Sequence, residues 1–220
     1  MPAVKERAGL TGNQLKIIAM IAMTCDHVGL QLLPQLGLLR VIGRLALPVY
    51  AYMIAEGCRH TRDRKKYLLR LTTLAFVCQV VYFFAMGSLY QCILVTFSLS
   101  VCLIWLWDGR PGPLFYIACV SAWALCRVVP DLLPHTDFRI DYGIWGVLLP
   151  WMIYVGSIKG LTVGLLLLAL SYGGYQWFAF AAVPLLMLYN GQRGKANIGK
   201  LFYYYYPAHL VIIYLLSLFL

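Results

Sequence analysis

The chain has 220 residues, 62% of them hydrophobic and only 12% charged, with a formal net charge of +10. Soluble domains average roughly 45 to 50% apolar and 25% charged, so the composition excludes an ordinary soluble domain and points to one polytopic membrane domain over 1–220. The basic residues cluster in short connections between apolar segments, which follows the positive-inside pattern and argues against a nucleic-acid partner.

The first apolar segment, 13–33, carries Asp26 and His27 side by side. Lys5, Arg7 and Lys16 resemble the n-region of a signal peptide. The Asp-His pair would interrupt the apolar core, however, and no small-x-small cleavage site follows, so the segment is expected to stay and span. A tight turn at 34–37 leads to a second span, 38–57, which holds Arg40, Arg44 and Glu56. Residues 58–70 form the most basic connection, with Arg59, Arg62, Arg64, Lys65, Lys66 and Arg70 against Asp63. Spans follow at 67–86, 90–107 and 114–129, with the Asp-Gly-Arg-Pro-Gly-Pro run at 108–113 as a strong breaker.

The connection 130–141 differs in character, placing Asp131, Asp137 and Asp141 against Arg139. A sixth span covers 142–156. The apolar stretch 159–190 has Gly173-Gly174 near its middle and reads as a hairpin of two short spans. After a polar, basic segment at 190–200, a last span covers 201–220. The expected fold is all-α, a polytopic membrane bundle of about nine transmembrane helices. With the N-terminus cytoplasmic, every lysine and arginine except Arg40, Arg44, Arg127 and Arg139 falls inside. A single crossing at 159–190 would move Arg193, Lys195 and Lys200 outside, which favours the hairpin. The seven cysteines show no CxxC or CxxH spacing, and six lie in spans, so neither a disulfide framework nor a metal site is expected. Trp105, Trp107, Tyr142, Trp145 and the tyrosines at 203–206 read as an interfacial belt, and Gly160-x-x-x-Gly164 as a weak helix-packing signal.

An ionisable residue in hydrocarbon costs about 2.5 to 3.5 kcal/mol even on lenient scales, so the Asp26-His27 pair calls for a role. His27 lies six residues before the outer end of its span, roughly 9 Å deep at 1.5 Å per residue, and Arg44 is equally deep in the next span. The tight turn makes these spans antiparallel neighbours, so both residues can face one cavity, with Arg40 on the same helical face as Arg44. Adjacent helical residues point about 100° apart. Asp26 can therefore hold Arg44 and leave His27 free. A purely structural alternative is an Asp26–Arg44 ion pair with His27 bonding between helices. His209, near the kink expected at Pro207, is open between site and structure. Glu56 reads as an interfacial anchor, Asp141 as a second carboxylate on the His27 side, and His60 and His135 as solvated.

Five ordered stretches carry a resemblance. They are Leu15-Lys-Ile-Ile-Ala-Met20 leading to Asp26-His27; Arg40-Val-Ile-Gly-Arg44 with Leu45-Ala-Leu-Pro48; Glu56-Gly57 with the basic loop to Lys66-Tyr-Leu-Leu-Arg70; Asp141-Tyr-Gly143 with Gly146-Val147; and Phe202-Tyr203 through Tyr206 and Pro207-Ala-His209-Leu210. In this order they resemble the TraX family of membrane acetyltransferases, associated with acetylation of conjugative pilin. That family is similar in turn to the acyltransferase-3-like group, which uses acyl-CoA and an essential histidine in an early span. The resemblance implies a bacterial inner-membrane enzyme with His27 as the base, alongside Asp26 and Arg44. Arg40, Arg44, Asp141, Tyr206 and His209 would bind donor or acceptor. It further implies acetyl-CoA as the donor, no metal, and as acceptor a pilin N-terminus or an envelope glycan or lipid.

The chemistry fits these residue types. Thioester acyl transfer needs a base near neutral pH, which imidazole supplies. It also needs a fixed positive donor for the oxyanion, which Arg44 could provide. Arg40 or the 59–70 loop could hold the phosphates of coenzyme A. The rival reading is a small proton-coupled or anion transporter, with Asp26-His27 and Glu56 as relay and Arg40 and Arg44 on the solute.

Overall fold

The structure is a computed structural model and describes residues 8–195 and 199–219. Apolar chain that excludes water must bond its backbone to itself, and the described residues accordingly form helices and no strand, apart from isolated bridges at Leu10–Tyr189 and Gln91–Ile140. Among the described residues, four helical runs are long and apolar enough to cross a membrane: Gly37–His60, Arg64–Phe84, Pro113–Leu132 and Gly143–Tyr172. The basic residues Lys5 and Arg7 lie outside the described residues.

Helix α1 (Gly12–Gln31) starts in a capping box, with Thr11 and Gln14 satisfying each other's backbone N–H groups. The predicted second span is two helices, α2 (Gly37–Gly43) and α3 (Ala46–His60). Pro48 explains the break: it has no N–H for the carbonyl of Arg44, and its ring crowds that carbonyl. Arg44 thus sits at a bend between helices. Helix α4 (Arg64–Met86) is capped by Asp63, whose carboxylate accepts from the Lys66 N–H at 2.9 Å, and ends on left-handed Gly87. Helices α5 (Ile93–Trp107) and α6 (Pro113–Leu132) follow, the latter opening on a proline whose missing N–H costs nothing there.

Helix α7 (Gly143–Tyr172) contains a non-helical residue, Ser157, at φ 48° and ψ −128°. A straight helix of this length would separate its ends by roughly 43 Å, yet the Tyr142 and Tyr172 rings lie 6.1 Å apart. The run is therefore folded back into two antiparallel limbs, 143–156 and 158–172. Gly160 and Gly164 permit the contact: a Cβ at Gly160 would collide with the Met152 carbonyl, and one at Gly164 would lie 2.5 Å from Leu149 Cδ1. Arg59 secures the fold-back from α3. Its guanidinium donates to the Ile153 and Tyr154 carbonyls at 2.9 and 2.8 Å, where a helix C-terminus leaves carbonyls unpaired, and pairs with Glu56 at 2.6 Å. Glu56 also meets His60 at 3.3 Å, so it belongs to this end of the bundle.

After the Gly173-Gly174 turn, a 3-10 segment (Gly174–Ala181) and the short α8 (Ala182–Met187) run back, and α9 (Gly199–Ser217) closes the chain. About nine uniform helices, the expectation from hydropathy, do not describe these elements. Hydropathy is blind to the Pro48 break, to the positive-φ bend at Ser157 that joins two stretches it does separate, and to the 3-10 geometry after Gly174.

The connections gather at two opposite ends. At the basic end, Leu10 N–H donates to the Leu188 carbonyl at 2.8 Å, and Arg64 grips Asp108 through two bonds of 3.1 and 3.0 Å. That grip holds the Asp108 carboxyl below its usual range. At the other end, Gln91 and Asp141 exchange backbone bonds with Arg139 and Gln91 at 2.8 and 3.1 Å. Asp137 there accepts from the Ser88 hydroxyl and the Leu89 N–H, which lowers its pKa. Between the ends, Leu15, Val49, Val101, Leu149, Ile153 and Leu165 are fully buried and form the core of α1, α3, α5 and both limbs of α7.

Candidate functional site

Two glycines bring α1 and α2 into contact. A Cβ at Gly29 would lie 2.8 Å from Leu39 Cβ, and one at Gly43 would lie 2.5 Å from Asp26 Oδ1. At this spacing one carboxylate oxygen, Asp26 Oδ1, meets both Arg40 Nη1, at 2.8 Å, and Arg44 Nη2. Arg40 also donates to the Asp26 carbonyl at 3.2 Å. Arg44 is 8% exposed, and its other terminal nitrogen donates to the Tyr142 hydroxyl at 3.1 Å. Its Nε has no partner.

His27 does not bond Asp26. Its Nδ1 lies 2.9 Å from His209 Nε2, with the rings nearly parallel and their centroids 5.1 Å apart. His209 Nδ1 in turn lies 3.0 Å from the Tyr205 carbonyl. A carbonyl can only accept, so His209 Nδ1 carries the hydrogen and His209 Nε2 presents a lone pair. His27 Nδ1–H then donates to that lone pair. With both rings neutral, His27 keeps a free lone pair on Nε2. The same face of α9 is held a turn away: the Tyr205 hydroxyl donates to Thr24 Oγ1, which donates to the Met20 carbonyl at 2.9 Å. Tyr205 and His209, four residues apart, thus dock on Thr24 and His27, three apart.

Asp141 precedes α7 and accepts from the Tyr90 hydroxyl at 2.6 Å, while its carbonyl takes the Thr96 hydroxyl at 2.8 Å. The next residue, Tyr142, is left-handed at φ 56°, and Gly146 gives it room: a Cβ there would lie 2.5 Å from Tyr142 Cβ. This turn aims the Tyr142 hydroxyl at Arg44. Asp141 consequently acts on Arg44 through the field and through its neighbour.

One cavity of about 1820 Å³ is lined by Asp26, His27, Arg40, Arg44, Asp141 and Tyr206. It opens at the end formed by the 87–92 and 133–142 loops. His209 stands behind His27, edge-on to the buried Tyr206 ring at 5.4 Å. Of the residues expected in a site, the fold gathers these seven, whereas Glu56 is held at the opposite end by Arg59. Sequence reasoning missed Tyr142, which it read as interfacial, together with Thr24, Tyr90 and Tyr205. Gln176, 4% exposed in the 3-10 segment, also lines the cavity and went unnoticed. For Tyr142 a signal existed in its place between Asp141 and a left-handed-prone glycine; for the others none did. Among the described residues no three His, Cys, Asp or Glu side chains group as a metal site requires.

No solved structure matches this chain. A protein of Dichelobacter nodosus named "Probable fimbrial assembly protein FimC, serogroup H1" is 27% identical over 94% of this chain and 96% of its own length. An uncharacterised protein of Rickettsia prowazekii (strain Madrid E) is 55% identical over 38 residues, 17% of this chain and 15% of its own. The family described as TraX protein matches residues 11–217, nearly the whole length, and the chain belongs to that family.

Proposed function

We propose that the protein is an integral inner-membrane acyltransferase that moves an acetyl group from acetyl-CoA to an amine or hydroxyl of a membrane-associated acceptor. The observation that carries this reading is the ordered chain His27–His209–Tyr205 carbonyl, which leaves the Nε2 lone pair as the group His27 has to offer the cavity. In the reaction, the acceptor nitrogen or oxygen attacks the thioester carbonyl carbon and gives its proton to His27 Nε2. The negative charge that develops on the carbonyl oxygen is stabilised by Arg44, fixed between Asp26 and Tyr142. The carbon–sulfur bond then breaks, and the departing thiolate recovers the proton from His27. Arg40 and Asp141 serve binding rather than proton transfer.

The chain crosses the membrane about nine times in this reading, counting α2 with α3, each limb of α7, and the 3-10 segment with α8. The N-terminus and the basic end face the cytoplasm, by the distribution of lysine and arginine. The fimbrial name of the Dichelobacter relative is in keeping with a pilin N-terminus as acceptor; an envelope glycan or lipid is the other class. A transport role has less support, because Asp26 is committed to two arginines and Glu56 to Arg59.

Purified protein incubated with radiolabelled acetyl-CoA and membrane extract tests this. Transfer is expected with the wild type, and His27→Ala should lose about 10²- to 10⁴-fold, the usual contribution of a general base, while inserting normally. Wild-type turnover in that variant would remove His27 from the chemistry.

A further inference from the structure

The cavity has a second arm. Beyond the polar chamber around His27 it continues along one face of α6, past Cys126, Trp123, Cys119 and Tyr116 to Phe115. Phe115, Cys119, Trp123 and Cys126 recur every three to four residues, as one side of a helix must, with Tyr116 beside Phe115. The floor is aromatic: Phe115 packs against Trp107 and Trp151 with centroids 5.2 and 5.7 Å apart. The opposite side of α6 leaves Leu114, Ile117 and Val120 exposed at 59 to 67%, facing hydrocarbon. Tyr116 and Trp123, which line the arm, are themselves 58 and 51% exposed, so it is an apolar groove inside the membrane that opens sideways to lipid along α6.

At the top of this groove stand Arg127 and Arg139, which line the cavity, are exposed, and make no ion pair among the described residues. Asp131, one turn beyond Arg127, is exposed and likewise unpaired there. From Arg127 down to Phe115, the third residue of α6, the helix rises roughly 18 Å, so the groove follows most of the helix and offers more length than the ~15 Å that one leaflet's acyl chains fill. Two guanidinium groups and one carboxylate without an ion pair among the described residues, beside an apolar groove of this length, complement a zwitterionic phospholipid. A transmembrane helix fits less well. With side chains it is about 10 to 12 Å wide, and it brings no phosphate to Arg127 and Arg139.

We infer that the α6 groove holds one acyl chain of an aminophospholipid. Arg127 and Arg139 take its phosphate, and its headgroup amine, presented to the His27 chamber, is the acyl acceptor. The inference rests on the acyl-transfer reading. In the step it implies, the amine nitrogen bonds to the acetyl carbon, the thioester C–S bond breaks, and the amine proton passes through His27 Nε2 to the thiolate. The products are an N-acetylated lipid and free coenzyme A.

The test uses the full-length protein, delipidated in detergent and supplied with phosphatidylethanolamine or phosphatidylcholine. Native mass spectrometry should show one lipid retained in either case. Cys119→Trp, which fills the groove, and the exposed pair Arg127→Ala/Arg139→Ala should each cut retention at least tenfold; the arginine pair keeps the test open if the tryptophan variant does not fold. With labelled acetyl-CoA, chloroform-soluble label should appear with phosphatidylethanolamine and not with phosphatidylcholine. Retention that ignores both variants, or label found on protein with none on lipid, overturns the inference. Groove-dependent retention without turnover of the donor by any acceptor would instead remove the acyl-transfer reading, and with it the acceptor role, while leaving the lipid site standing.

Discussion

At the scale of single residues, the site depends on which partner each polar group has already taken. Asp26 spends its carboxylate on two arginines, so His27 is oriented by another ring. His209 is thus a positioning residue whose acceptor nitrogen decides which face of His27 carries the lone pair. Replacing it with phenylalanine keeps a ring of similar shape and leaves His27 Nδ1–H without a partner, a loss of about 1 to 3 kcal/mol for a buried donor. We expect His209→Phe to lower kcat by at least tenfold with little change in KM for the donor. His209→Gln, whose carbonyl oxygen can accept, should recover part of it. Equal rates in the two variants would show that ring packing, not the hydrogen bond, is what His209 supplies. The sequence disclosed His27, Arg44 and Asp26 because ions in apolar segments stand out. It could not disclose the pairing of His27 with His209, since the two lie on helices far apart in the chain and nothing local to either names the other.

At the scale of elements, the site exists because α1 and α2 can touch. Gly43 is the contact point, its missing side chain occupied by Asp26. Gly43→Ala would push the helices apart or turn Asp26 away, and overpacking of this kind costs about 1 to 3 kcal/mol. The expected result is a lowered melting temperature in detergent together with lost transfer, because Arg40 and Arg44 would both retreat from their shared carboxylate. An unchanged melting temperature would mean that α2 can move without cost, contrary to the packing described. The same scale shows what hydropathy could and could not convey. The turn at 34–37 made α1 and the next segment neighbours, and that much was legible. The bend that presents Arg44 comes from Pro48, four residues on, and a sliding window over apolar residues averages it away. The fold-back at Ser157 was legible as two apolar stretches, and Gly160-x-x-x-Gly164 proved to be the face on which those stretches meet. Its geometry was not legible, because a serine at positive φ leaves no compositional mark.

At the scale of the molecule, the two ends differ in chemistry, and this difference is the basis for orientation. The basic end gathers Arg59, Arg62, Arg64, Lys65, Lys66, Arg110 and Lys159. The end where the cavity opens gathers Asp131, Asp137 and Asp141 with Arg127 and Arg139, and Arg40 and Arg44 line the cavity below it. Positive-inside retention acts on short, lysine- and arginine-rich connections and largely ignores acidic ones, so the cavity mouth should face away from the cytoplasm. Single cysteines placed at Arg62 and at His135, both in exposed connections, report the two sides directly. In intact cells a membrane-impermeant maleimide should label His135→Cys and leave Arg62→Cys unlabelled until the membrane is opened. The native cysteines provide the background control, since all seven are buried or half-buried. The reverse labelling would put His27 on the side where coenzyme A is made and would let the donor enter through the cavity mouth. On the acyl-transfer proposal, the expected labelling has the opposite consequence: the acceptor would enter at the mouth, and the acetyl group would have to reach His27 from beneath, through the bundle. Which end is labelled therefore assigns the mouth to one of the two substrates.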